Sequence, residues 1–238
     1  MQEFIFDDPR FLRMITADGS THADIDESTN GHGTCVTSIA VGISVGVKKK
    51  SKLVVVKSGR DAAAILDSWL KVAENIVLND VKRHAVMVRS LSSIKIFAKG
   101  DEPPDPRPKI HDYIRKINDL EVPVVVSAGN NGDRSHKTDT FPALWSEETP
   151  GVYAVSALNL DGSRRPSSQY GHRYSTETWA PGQNVRCAAN AAGPSLATKS
   201  GTSMAAPMVG SGIAPLAQCQ FDIASCKDGA HNASQISS

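Results

Sequence analysis

Three short stretches carry the side chains whose types and spacing could do chemistry. They are Ser200-Gly201-Thr202-Ser203-Met204-Ala205-Ala206-Pro207, Gly31-His32-Gly33-Thr34 and Ser127-Ala128-Gly129-Asn130-Asn131-Gly132. The first reads as a turn feeding a helix: Gly201 permits a tight backbone, Thr202 can cap, and Met204 to Ala206 favour helix. Ser203 then falls in the first turn, where unpaired backbone N–H groups and the positive end of the helix dipole favour an anion. A serine that attacks an acyl carbon needs that setting, because negative charge develops on the carbonyl oxygen beside it. On local grounds the stretch also reads as a capped helix with a spare hydroxyl. His32 opens an apolar segment running through Ala40, and its flanking glycines let a backbone come close and a helix begin. Alone, it also reads as a turn residue. Asn130 follows an apolar run, Val122-Pro123-Val124-Val125-Val126, and Asn-Asn-Gly is good turn chemistry.

Together the three stretches resemble the nucleophile, histidine and oxyanion-loop motifs of the subtilisin-like serine proteases, the subtilases. The resemblance implies an endopeptidase acting on a polypeptide substrate. Ser203 would attack the peptide carbonyl, His32 would move the proton, and Asn130 with the Ser203 backbone N–H would hold the oxyanion. Ser127-Ala128-Gly129 would form one wall of the primary specificity pocket, and Ser90-Leu91-Ser92 a substrate-binding edge. No cofactor and no metal take part in that chemistry. Calcium is a common structural ion in the family, but no acidic loop here makes a case for it. Phe141-Pro142-Ala143, Val152 to Ala157, Ser168-Gln169-Tyr170-Gly171 and Trp179-Ala180-Pro181-Gly182 continue the likeness, which runs from about Gly31 to Pro207. Two features depart from the family pattern. Val88-Arg89 stands in place of an Asn and an apolar residue, and Ser92-Ser93 replaces glycines. Competing readings are a non-catalytic subtilase-like protein that binds peptides and, more distantly, an unrelated serine esterase, for which no Gly-x-Ser-x-Gly elbow is present.

The family's triad runs Asp, His, Ser, with the Asp ending a first apolar strand in an Asp-Ser-Gly or Asp-Thr-Gly context. No such string precedes His32. Asp7 follows Phe4-Ile5-Phe6, a short strand pattern, but Asp8-Pro9 replaces the turn. Asp18-Gly19-Ser20 scrambles the motif and follows no strand pattern. Asp7 is the better candidate on this reading, and the expectation is that the true Asp precedes Met1 and that the chain is a poor peptidase. Downstream, Ile213-Ala214-Pro215 is expected to end the nucleophile helix early. Residues 1–238 are read as one peptidase domain, with 1–30 and 215–238 poorly matched, incomplete ends.

The elements that must position these groups read as α/β. Leu53-Val54-Val55-Val56, Ala85-Val86-Met87-Val88 and Val122 to Val126 are continuous apolar runs, as strands buried on both faces require. Asp61 to His84 has an apolar side at helical spacing, and Ile110 to Leu120 is a shorter helix. The expected fold is three-layered and subtilisin-like, a mostly parallel sheet with helices on both faces. At 238 residues the chain suits one large domain. Lys+Arg of 26 against Asp+Glu of 25 gives +1, leaving no electrostatic case for nucleic acid or an anionic membrane. No apolar run approaches the roughly 18 residues of a transmembrane helix, and no secretion signal opens the chain. Secretion is usual for the family; the compartment is left open, and a monomer is expected. Four cysteines, Cys35, Cys187, Cys219 and Cys226, are too few and scattered for a disulfide framework. Cys35 is read as a small packed hydrophobe.

Overall fold

The computed structural model describes residues 9–17, 30–59, 61–91, 105–171, 178–190 and 195–219. In chain order the elements are β1 (Phe11–Thr16), α1 (His32–Val41), β2 (Leu53–Lys57), α2 (Ala62–Leu78), β3 (Met87–Arg89), α3 (Arg107–Asp119) and β4 (Val124–Ser127). A 3-10 turn (Ala143–Glu147), β5 (Val152–Leu158), β6 (Thr178–Pro181), β7 (Val185–Ala188), β8 (Leu196–Lys199) and α4 (Thr202–Cys219) follow.

The centre is a parallel sheet in the order β3-β4-β5-β6. Its strands are apolar on both sides because both faces are covered. Val124 and Val126 pack with Trp69 of α2 and Ile110, Ile114 and Ile117 of α3. Val125, pointing the other way, packs with Ala205 and Ala206 of α4. That alternation makes three layers, helix–sheet–helix, as the apolar runs imply. Asp61 caps α2 by accepting a 2.9 Å bond from the Ala64 N–H.

Four sequence expectations need correction. First, β1 is a strand that the sequence did not suggest. It pairs in parallel with β2, from Phe11 opposite Leu53 to Thr16 opposite Lys57. Its exposure pattern does not alternate cleanly, so Phe-Leu-Arg-Met-Ile-Thr gives no period-2 signal. Asp18 therefore does follow a strand.

Second, α4 does not break at Pro215 but continues to Cys219. Pro215 removes one backbone hydrogen bond, but α4 is held between the sheet and α1 by Met204, Ala205, Ala206 and Met208, and tertiary packing outweighs the local penalty.

Third, Cys35 is not an isolated small hydrophobe. It forms a disulfide with Cys187 across a sequence separation of 152 residues, with Cα atoms 4.8 Å apart. The bridge ties α1 to β7 in a small cluster with Ile39, Val185 and Met204. Spacing along the chain could not reveal it, since the pairing depends on two elements meeting only in the fold. Fourth, α2 ends at Leu78, short of His84, and α3 starts three residues before Ile110, at Arg107.

Candidate active site

The N-terminal ends of α1 and α4 meet. Cys35, one helical turn after His32, has its sulfur 3.3 Å from the thioether of Met204, the neighbour of Ser203. Farther along, the Ser211 hydroxyl donates to the Ala40 carbonyl at 3.0 Å. The contact advances along both helices in the same sense, so they run side by side in parallel. His32 and Ser203, 171 positions apart in sequence (203 − 32), thus lie in the first turns of their helices at the same end.

Local sequence explains why α1 begins at His32. Gly31 adopts φ 55° and ψ 34°, and a Cβ there would lie 2.5 Å from the Asn190 Cβ. Only glycine meets both conditions. The Asn30 side chain accepts the His32 N–H at 2.9 Å, supplying the cap that Gly31 lacks. Gly33 meets nothing within 4 Å, so the second glycine is not required by close approach. His32 is half-buried.

Ser203 is half-buried in the first turn of α4, and its hydroxyl donates to the Ser90 carbonyl at 3.0 Å. Ser90 follows β3 and is 7% exposed, whereas Leu91 is 48% exposed. The Ser90 carbonyl is thus beside the nucleophile candidate. Ser92 lies outside the described residues, as do Asp7 and Asp18.

β4 delivers Ser127, Ala128 and Gly129, all buried, into the loop carrying Asn130. The Asn130 Oδ1 accepts from the Thr202 N–H at 2.9 Å and from the Thr202 hydroxyl at 3.3 Å. A backbone N–H can only donate, so the amide oxygen must face α4. That orientation leaves Nδ2, a donor, for another acceptor. The same Thr202 hydroxyl accepts from the Gly129 N–H at 3.2 Å. Thr202 therefore clamps the loop to the start of α4. Sequence reasoning treated Thr202 only as a capping residue; nothing local signals that its hydroxyl bridges to a loop 72 residues away.

Beneath this loop lies Gln169, 0% exposed, whose part was also missed although its motif was noticed. Thr138, 1% exposed, donates to the Ala128 carbonyl at 3.1 Å and supports the loop from below.

The other side of β3 carries an unusual cation. The Arg89 guanidinium donates to the Ser68 hydroxyl at 3.1 Å and sits 5.1 Å over the Trp69 ring, both on α2. Burial pushes its pKa down to about 10. Among the described residues, no group of three or more His, Cys, Asp or Glu side chains converges as a metal site would require, and no helix is long and apolar enough to cross a membrane.

A nucleophile candidate, a histidine and an oriented side-chain amide thus gather where two helices begin. Residues 5–230 match the Subtilase family. Among curated proteins, Subtilisin-like protease 2 of Trichophyton rubrum is 30% identical over 190 residues, covering 78% of this chain and 41% of that protein. Subtilisin-like protease 2 of Trichophyton verrucosum matches to the same extent. The chain therefore spans about two fifths of the length of these relatives. Among solved structures, a cold-adapted subtilisin-like serine proteinase superposes with a TM-score of 0.69 at 22% identity, over 88% of this chain and 68% of that one. The PatG macrocyclase in complex with peptide gives 0.59 at 25% identity, over 81% and 55%.

Proposed function

Because the chain belongs to the Subtilase family, a family of serine proteases, we propose that it is a serine endopeptidase hydrolysing peptide bonds through Ser203, His32 and Asn130. The parallel packing of α1 and α4 carries this reading, since it brings the first turns holding His32 and Ser203 to one end of the two helices. In the reaction, the Ser203 hydroxyl leaves the Ser90 carbonyl and turns to His32, which takes its proton as Ser203 attacks the substrate carbonyl. Without substrate, catalytic hydrogen bonds are often long or poorly aligned and tighten only when it binds. The freed Ser90 carbonyl can then accept an N–H from the bound peptide. Asn130 Nδ2 and the Ser203 N–H donate to the oxyanion, and His32 returns the proton to the leaving amine. Ser90, Leu91 and Ser92 form one edge of the substrate groove; Ser127, Ala128 and Gly129 form the other. The substrate is a polypeptide, and the chain acts as a monomer.

For the third triad member we propose Asp18 in place of Asp7. The course of β1 supports this. Arg10, entering the strand, donates to the Val41 carbonyl at the end of α1 at 2.8 Å. β1 thus starts beside the far end of α1. Pairing with β2 continues through the Ala17 N–H, which donates to the Lys57 carbonyl at 2.8 Å. Asp18 is the next residue, in the order Asp, His, Ser.

The test is to express residues 1–238, assay a peptide substrate and label with a fluorophosphonate probe, with Ser203→Ala as control. Hydrolysis and labelling that both vanish in Ser203→Ala are expected. Peptide binding without turnover or labelling would refute the catalytic reading in favour of a non-catalytic peptide binder.

A further inference from the structure

The loop that presents Asn130 is held on both sides of that residue by a single buried residue, through its backbone N–H on one side and its side chain on the other. Resting on the reading that Asn130 donates to an oxyanion, we propose that Gln169 is the positioning residue that fixes the Asn130 loop in donating geometry.

Gln169 is fully buried, in the segment between β5 and β6. Its backbone N–H donates to the Gly129 carbonyl at 3.0 Å, and its Oε1 accepts from the Asn131 N–H at 3.4 Å. The residues before and after Asn130 are therefore both bound to it. Contact with the loop is close: a Cβ on Gly129, which adopts φ +115°, would lie 2.1 Å from Oε1. The other edge of the amide is anchored. Nε2 donates to the Lys137 carbonyl at 2.8 Å and to the Asp139 carboxylate at 2.9 Å. The Gln169 carbonyl accepts from the Ser156 hydroxyl of β5 at 2.8 Å. Gln169 thus joins the loop to the central sheet and to the 137–139 segment.

The chemistry suits glutamine and no close analogue. The site needs an acceptor on one edge and two donors on the other, in a neutral group, because a carboxylate already stands there. Glutamate would set an acceptor against the Lys137 carbonyl and a second charge beside Asp139. Asparagine is one methylene short of spanning the gap. Among the described residues, the Asn130 side chain is hydrogen-bonded through its oxygen to Thr202, so its donor direction depends on the backbone at 129 and 131. Oxyanion donors work because they are held before the charge appears, and holding them falls to the surrounding shell.

The experiment compares Gln169→Glu in the wild-type and Asn130→Ala backgrounds of the full chain. It reads kcat and KM separately, and amide hydrogen exchange across 129–132. We expect kcat to fall about 10-fold or more with KM nearly unchanged, since the lost interaction is one made in the transition state. The loss should disappear in Asn130→Ala, and the loop should exchange faster in Gln169→Glu. An equal loss in both backgrounds, or unchanged exchange, overturns the proposal. If the parent chain shows no Ser203-dependent turnover, the protease reading fails, and exchange alone decides whether Gln169 holds the loop. Should Gln169→Glu not fold, Asp139→Ala removes one anchor of the same amide at an exposed position, with the same expected changes at smaller amplitude.

Discussion

At the scale of single residues, the site rests on groups that local sequence can name and on others it cannot. His32, Asn130 and Ser203 were legible because each sits in a short string whose backbone demands are local: a left-handed glycine, a strand end, a helix start. Thr202 and Gln169 were not, because their roles consist of bonds to residues 129–131, reached only when β4, the segment after β5 and α4 converge. Asp18 falls between these cases, its string scrambled but its strand real. If it completes the triad, Asp18→Asn lowers kcat by about 10⁴-fold, a magnitude taken from trypsin-like and subtilisin examples rather than obtained for this chain. Asp7→Asn leaves kcat within a factor of about two. Steady-state kinetics on both variants decides, and the reverse ranking would return the role to Asp7.

Elements were read well where burial forces a pattern and poorly where it does not. β2 and β4 lie in nearly continuous apolar runs and α2 carries an apolar stripe against the sheet, so the sequence pattern found them, whereas β5 was met only through the family likeness. β1, at four positions half-buried and at two exposed, and the short antiparallel pair β7–β8, give no such period. β3 shows where an element tolerates an ill-suited residue. Among the described residues, Arg89 is a desolvated cation that meets a hydroxyl and an aromatic face. Replacing it with an unbranched apolar side chain removes that desolvation, so Arg89→Met should stabilise the protein by about 1–3 kcal/mol. That corresponds to a Tm higher by roughly 2–10 °C in calorimetry. A lower Tm would mean that the Ser68 and Trp69 contacts outweigh the desolvation.

The Cys35–Cys187 bridge acts at the same scale, since it fixes the helix that His32 opens. Closing a loop of 152 residues restricts the unfolded chain by up to about 5 kcal/mol on the chain-entropy account, with 2–4 kcal/mol more usual. Cys35→Ala with Cys187→Ala should therefore lower Tm by about 5–15 °C under non-reducing conditions. The difference from the parent should shrink when both are measured in reductant. A difference that persists unchanged in reductant would assign the loss to packing around Met204 rather than to the cross-link.

For the whole molecule, one histidine makes stability depend on pH. His111 on α3 stacks on Trp145 at 4.6 Å and meets the Thr149 hydroxyl at 2.8 Å through Nε2. Its pKa is lowered chiefly by burial, then by the Arg115 charge, with Glu148 and Asp112 opposing. The folded state therefore binds this proton less readily than the unfolded state. The contribution to stability is complete above the unfolded value, about 6.5, and is lost as pH falls through the lower folded value. His111→Gln should flatten the decline in Tm below pH 6.5 while leaving the curve above about pH 7 parallel to that of the parent. Coincident slopes below pH 6.5 would exclude His111 as the source.

On the proposed function the chain meets its own cutting activity, and the covalent tie between α1 and β7 alters what a cut can do. Residues 36 to 186, which include α2, α3 and all four strands of the central sheet, lie inside the loop that Cys35 and Cys187 close. A chain nicked once anywhere in that span stays a single covalent object, with both halves of the candidate site still attached to one another. Self-cleavage there would show as fragments on a reducing gel and as an intact band on a non-reducing one, and damage would accumulate without scattering the parts.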